Sequence, residues 1–353
     1  MTNLLTTKQN TNSKIDSLQY LRAFAALWVL FTHVLQRLEL KPGGVSFAGQ
    51  WGVDVFFLLS GFIIYYTTKE GSNWKSFAIK RIFRIYPAYL ICLIVYCCYS
   101  IIYNNHGGGY SLLCVIQNII MVPFSEPIGY HSLIVGQAWS TCYELYFYTI
   151  FTLILFCRLK KKWILPSILV LFAIGVAYNY FYHPSGFIGY IFSLMGRHHV
   201  LFFCEGIFIA EHLNLLEAIK LKKRWFFVLF MILFVVYLWF LCNSYKFFAS
   251  IVLSPLFFGG VYLLNKYLSG QSVLHHIMVY LGDISFSIYL IHSVIIRFLL
   301  HQCHIANFTL LLVSTLAATL FFSALCYKFV EQPFIKIGKN ISAKINSSNA
   351  SNQ

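Results

Sequence analysis

An arginine and a histidine stand eleven residues apart in the apolar run LQYLRAFAALWVLFTHV, from Leu18 to Val34. In an α-helix eleven steps of 100° return almost to the starting direction. Arg22 and His33 therefore share one face, separated by roughly 16 Å along the axis. A neutral imidazole can take the proton of a hydroxyl, and a carboxylate beside it would orient the ring and stabilise the imidazolium, so His33 is a candidate general base. Asp54, Glu144 and His292 are the other ionisable groups set in apolar surroundings that could join it, with Trp139 and Ser140 a turn before Glu144. Arg81 and Arg84, in KRIFRIYP, are three apart and so neighbours on a helical face. With Arg22 they would make a cluster of rigid guanidinium forks suited to phosphate oxygens.

Each of these residues also has a plainer reading. Arg81 and Arg84 would serve equally as basic anchors beside a membrane. Asp54 stands where a carboxylate favours the N-terminus of a helix, and His292 where a packing histidine would fit. Glu331, followed by Gln332 and Pro333, reads as a helix stop that faces Arg81 or Arg84. Arg197, His198 and His199 interrupt an otherwise apolar segment, which is either broken there or lines a cavity.

What must position these groups follows from composition. Of 353 residues 59% are hydrophobic and only 10% charged, against about 25% charged in soluble domains. A water-exposed surface cannot be covered by so few charges, so a bilayer is the expected solvent. The formal charge of +15 does not point to nucleic acid, because Lys and Arg sit in short runs between apolar stretches. The ten cysteines lie almost all within apolar runs and form no paired motif with histidines, so neither a disulfide framework nor a metal is expected. No secretory leader with a cleavage site is evident, and the first apolar run is expected to be retained as a helix.

A bilayer core needs roughly 20 apolar residues per helix. The expected spans run from Ser17 to Gln36, Trp51 to Thr68, Tyr86 to Tyr103, Gln137 to Cys157, Trp163 to Tyr182, Phe187 to Glu211, Trp225 to Cys242, Phe247 to Leu264, Ile277 to Leu300 and Phe308 to Val330. These make a bundle of about ten transmembrane helices, with the run from Ser111 to Val122 too short to cross. Basic residues alternate between loops: Lys69, Lys75, Lys80, Arg81 and Arg84 follow the second span and Lys160 to Lys162 the fourth, whereas 104–136 and 301–307 contain no Lys or Arg. Both termini are thereby assigned to the cytoplasm, although Lys246 falls on the wrong side. The expected organisation is a cytoplasmic segment 1–16, one all-α transmembrane domain 17–331 and a disordered cytoplasmic tail 332–353. In this topology His33, Asp54, Glu144 and His292 all fall in the outer half of the bundle and the arginines at its cytoplasmic end.

In order along the chain, the residues resemble the acyltransferase 3 family of integral membrane acyltransferases. The paired Arg22 and His33 of the first helix, GVDVFFLLSGFII from Gly52, RIFRIYP with Arg81 and Arg84, the WS-x-x-x-E-x-x-FY pattern of Trp139, Ser140, Glu144, Phe147 and Tyr148, and the closing GDISFSIYLIH and EQPF carry the likeness. The resemblance implies transfer of an acyl group, commonly acetyl from acetyl-CoA, to a hydroxyl of a carbohydrate at the outer face. His33 would be the base, Glu144 would orient it, Asp54 would stand in the same catalytic group, and Arg22, Arg81 and Arg84 would hold the donor. Trp139, Ser140 and His292 are then expected to line the acceptor site. The roughly 16 Å between Arg22 and His33 is comparable with the reach of a pantetheine arm. The implied partners are a surface polysaccharide such as O-antigen or exopolysaccharide, or its lipid-linked precursor, and membrane lipid, at a bacterial cytoplasmic membrane. A ten-helix bundle with buried charges would also suit a transporter or flippase of a lipid-linked sugar, although no internal repeat of the kind transporters use is visible. A sensor or assembly scaffold is a third possibility, in which His33 would be dispensable.

Overall fold

The computed structural model describes residues 15–40, 49–68, 71–103, 112–121, 133–182, 186–242, 249–268 and 272–350. Expectations for the N-terminal segment before residue 15, for Lys69 and Lys246, for 104–111 and 122–132 of the uncharged loop, and for 351–353 lie outside the described residues. Every regular element among the described residues is helical. In chain order, α1 is Asp16–Arg37, α2 Gly49–Thr67, α3 Trp74–Tyr103, α4 Leu112–Ile119 and α5 Trp139–Phe156. They are followed by α6 (Ile164–Phe181), α7 (Gly186–Met195), α8 (His199–Glu211), α9 (Leu213–Glu217) and α10 (Lys223–Cys242). The last five are α11 (Ser254–Leu264), α12 (Val273–Asp283), α13 (Ser285–His301), α14 (Phe308–Cys326) and α15 (Gln332–Ala350).

Among the described residues, five helical stretches are long and apolar enough to cross a membrane: Asp16–Arg37, Trp74–Tyr103, Lys161–Phe181, Lys223–Phe240 and Phe308–Ser348. A sixth is obtained if α12 and α13, bent by 70° at their junction, are taken as one. The expected ninth span is thus not a straight helix. The expected sixth is likewise divided into α7 and α8, at the Arg197 and His198 interruption. The third begins twelve residues earlier than expected, at Trp74, and runs through Pro87. Arg81 and Arg84 are therefore set on a helix and held at fixed orientation to one another.

The first helix is the axis of the bundle. Leu18, Leu21, Ala25 and Val29 pack in one apolar cluster with α2, while Ala26, Leu30 and Val34 pack in another with Ile284, Ile288, Ile296 and Leu311. Small residues at 23, 25 and 26 are fully buried and allow the close approach on which helix packing in lipid depends. The tightest crossing is that of α2 with α8. A Cβ added to Gly61 would meet the carbonyl oxygen of Phe203 at 2.1 Å, and one on Gly206 would meet that of Leu58 at 2.0 Å. Only glycine fits either place. By contrast α10 exposes Val228, Leu229, Ile232, Val235 and Trp239, the apolar surface expected of a helix facing lipid.

The C-terminal segment corrects the sequence reading. Glu331 and Pro333 do not stop the helix: a π-helical turn, Tyr327–Glu331, leads directly into α15. The wider turn accommodates a ring that cannot donate a backbone hydrogen bond. The segment expected to be disordered is a helix packed along α3, with Ser342 hydrogen-bonded to Ser76, and Gly338 seated against Phe83.

Candidate active site

His33 projects from α1 toward α13, where His292 is fully buried. The two rings meet edge to edge, with centroids 5.0 Å apart and planes 14° from parallel, and His33 Nδ1 lies 2.7 Å from His292 Nε2. Hydrogen-bond chemistry fixes the tautomers of the neutral pair. His292 Nδ1 is 3.0 Å from the carbonyl oxygen of Ile288, which can only accept, so Nδ1 carries the hydrogen and Nε2 the lone pair. His33 must then donate from Nδ1 to that lone pair. Its Nε2 is left without a hydrogen, in the state a proton acceptor requires.

Below this pair, at the Arg22 end of α1, lies a cavity of about 70 Å³ walled by α1, α2, α3, α5 and α13. Three guanidinium groups, from Arg22, Arg81 and Arg84, line it. Arg81 is held against the rings of Phe77 and Tyr148, each 5.1 Å from its central carbon. Arg22 accepts orientation from Gln19, to whose side-chain oxygen it donates at 3.4 Å. Arg22 and Arg84 repel one another, and Glu144, Glu331 and Asp283 offset that repulsion. The hydroxyls of Ser60 and Thr141 are buried in the same wall and have no hydrogen-bond partner. Unpaired buried hydroxyls are costly, so a ligand that meets them would recover energy. The charge and the donors suit an anionic, phosphate-sized group. A longer ligand enters only if lining side chains move.

One residue links the two places. Tyr289 lines the cavity and its ring centroid is 6.0 Å from that of His292, one helical turn along α13. Its hydroxyl donates to the Gln137 carbonyl at 2.9 Å and accepts from Ser140 at 2.7 Å. Gln137 in turn donates to the Leu290 carbonyl at 2.6 Å and to the Tyr96 hydroxyl at 2.7 Å. These bonds lock the start of α5 onto α13 and α3.

The structure therefore separates what depth alone had grouped. His33 and His292 are together. Glu144 is not beside His33: it accepts a hydrogen bond from Tyr148 and lines the arginine cavity. Asp54 is not beside His33 either, but 3.5 Å from His199 on α8. Trp139 packs against His199, with ring centroids 5.2 Å apart, whereas Ser140 faces Tyr289. Ser60, Thr141, Gln137 and Tyr289 were missed in the sequence, where uncharged side chains in apolar runs give no signal of their own. Ser60, Thr141 and Tyr289 do fall inside three of the stretches that carry the family likeness.

With these positions established, a comparison with known families is decisive. The family model for an acyltransferase domain, acyltransferase 3, matches residues 15–328. The chain belongs to the acyltransferase 3 family. As a member of it, with several helices able to cross a bilayer, the chain is a membrane protein. This acyltransferase 3 chain is 29% identical over 163 residues to Acyltransferase MdmB of Streptomyces mycarofaciens, a match covering 42% of this chain and 41% of the relative. It is 26% identical to a protein of Staphylococcus aureus strain COL named as a putative O-acetyltransferase, over 94% of this chain and 59% of the relative. Nodulation protein 10 of Rhizobium leguminosarum is 32% identical over 96 residues, 25% of each chain. The chain thus spans about two fifths and three fifths of the length of the first two relatives. No solved structure matches it.

Proposed function

We propose that the protein is a membrane-embedded O-acyltransferase that moves an acetyl group from cytoplasmic acetyl-CoA to a hydroxyl of an extracytoplasmic carbohydrate. The observation that carries this reading is the bare Nε2 of His33, fixed by the chain of hydrogen bonds through His292 to Ile288, at the far end of α1 from three clustered arginines. His33 removes the proton of the acceptor hydroxyl as its oxygen attacks the thioester carbonyl. The tetrahedral intermediate collapses with expulsion of the thiolate, which recovers the proton from the imidazolium. No covalent enzyme intermediate is needed. Arg22, Arg81 and Arg84 bind phosphate groups of the donor. Glu144 holds Tyr148, and through it Arg81, so its contribution lies at the donor end. Trp139, Ser140 and His292 border the route to the acceptor, His292 also orienting His33.

The reading includes the topology of ten spans with both termini cytoplasmic, which needs the short and broken helices to complete the crossings left by the five long ones. The acceptor class is a bacterial surface polysaccharide such as O-antigen or exopolysaccharide, or its lipid-linked form, and the membrane is the bacterial cytoplasmic membrane. The broken elements α7/α8 and α12/α13 are also a mark of transporters, so a flippase is the competing reading. Purified protein, radiolabelled acetyl-CoA and a glycan acceptor separate the two. The enzyme transfers label to the glycan and releases free CoA, and His33→Ala slows both at least about 100-fold; unchanged transfer in that variant overturns the assignment of the base, and no CoA release by the wild type overturns the reaction.

A further inference from the structure

The proposed reaction leaves unexplained a second polar cluster, at the junction of α2 and α8. Asp54 and His199 are 2% and 3% exposed, and His198 is exposed beside them. One ligand atom from each of the three residues lies within 4.8 Å of the others. We propose that Asp54, His198 and His199 form a site for a divalent metal of zinc-like preference, which pins the start of α8 to α2. No spacing motif announces such a site, since Asp54 is far along the chain from the two histidines and no cysteine joins them.

Three features support a cation here rather than a simple buried pair. First, the Nδ1 of His199 is buried without a hydrogen-bond partner, although Asp54 Oδ1 is only 3.5 Å away. That separation exceeds the usual hydrogen-bond range of about 2.7–3.2 Å, whereas two ligands each roughly 2.0–2.2 Å from a tetrahedral ion stand about 3.4 Å apart. Second, Glu205 adds an unsatisfied buried oxygen near Asp54. One of its carboxyl oxygens is buried without a hydrogen-bond partner, and its carboxylate and that of Asp54 repel one another. Third, the rings of His198 and His199 are 4.0 Å apart, so a modest rotation of the exposed ring closes a three-residue set and leaves the fourth position to water. A His–carboxylate pair alone explains Asp54 and His199 but gives the third converging nitrogen no role.

The surroundings give the site a consequence. His199 is boxed by Phe57, Trp139 and Tyr143, at centroid distances of 5.3, 5.2 and 5.2 Å, and Phe57 also lines the arginine cavity. A metal at this corner would stiffen one wall of the cavity. It takes no part in the transfer step, so the inference stands or falls independently of the acyltransferase reading.

The test uses full-length protein purified in detergent without a polyhistidine tag, stripped with chelator and titrated with Zn²⁺ by calorimetry, with elemental analysis of the product. Wild type should take one equivalent per chain and melt at a higher temperature with zinc than without. His198→Ala should bind at least tenfold more weakly and lose the zinc-dependent rise in melting temperature, while melting normally without metal. Asp54→Asn should bind none; if that buried variant fails to fold, the exposed His198→Ala decides alone. No zinc on the wild type overturns the proposal, as does full zinc binding by His198→Ala or loss of binding in His292→Gln but not in His198→Ala.

Discussion

Tyr289 and His292 stand three residues apart on α13, the first lining a cavity of three arginines and the second bonded to His33. One turn of one helix therefore joins the arginine-lined end of the candidate site to the imidazole proposed as base. The expected effects of substitution depend on which side of that turn a residue lies.

Replacing His33 with Ala removes the proton acceptor itself, and kcat should fall about 10²- to 10⁴-fold. Replacing His292 with Ala leaves the base but removes the acceptor that fixes its tautomer. A hydrogen bond to a group that becomes charged is worth about 1.5–3 kcal/mol, or roughly 10- to 150-fold in kcat. Steady-state kinetics should show this loss with KM for the donor little changed; an equal loss in the two variants would mean that His292 does more than orient.

Arg84→Lys should raise KM for acetyl-CoA about tenfold or more while leaving kcat within a few-fold. The charge is retained, but the planar fork that engages two phosphate oxygens at once is not. A donor analogue lacking its phosphates should show no difference between the variant and wild type.

At the crossing of α2 and α8, Gly206→Ala forces a methyl group onto the Leu58 carbonyl. The cost of overpacking is about 1–3 kcal/mol or more, and thermal unfolding in detergent should shift down by several degrees. Gly71→Ala, at a position with φ of +74° but open space around it, isolates backbone strain from crowding and should cost about 1–2 kcal/mol.

Removal of residues 332–353 tests the packed tail. A disordered tail could be deleted without effect. Because α15 lies along the N-terminal half of α3, through Ser342–Ser76 and Gly338–Phe83, its loss should lower the melting temperature and raise KM for the donor, through the mobility gained by Arg81 and Arg84.

The proposed topology is open to labelling of native cysteines. Cys157 and Cys303 are both exposed, at loops assigned to opposite sides of the membrane. With either as the sole remaining cysteine, an impermeant maleimide should label Cys303 in intact cells and Cys157 only after permeabilisation. The reverse pattern would invert the assigned orientation.

The helical class, the membrane setting and the family were legible because each rests on quantities a sequence carries directly: apolar run lengths, sparse charge and ordered motifs. Depth along a helix was legible too, which is why Arg22 and His33 fall at opposite ends of the site. Direction around the bundle was not. Asp54 and Glu144 lie at plausible levels, but which neighbour each meets depends on where α2 and α5 cross their partners, and the crossing of α2 is set by two glycines that let α8 come close. The tail was misread for a different reason: its Ser- and Asn-rich end outweighed the helical spacing of Phe334, Ile337, Ile341 and Ile345, and the face that packs on α3 carries Gly338 and Ser342 rather than large apolar side chains.

The unbroken rod from Phe308 to Ser348 has 41 residues and so extends roughly 60 Å. A bilayer with its headgroups is only about 40–45 Å thick. Upright in the slab, the rod's polar end would stand clear of the lipid, with α3 braced alongside it. Lateral force on that protruding stub would be carried inward to the π-helical turn, where the Glu331 carboxyl grips Ser287, two residues before the tyrosine that separates the arginines from the paired imidazoles.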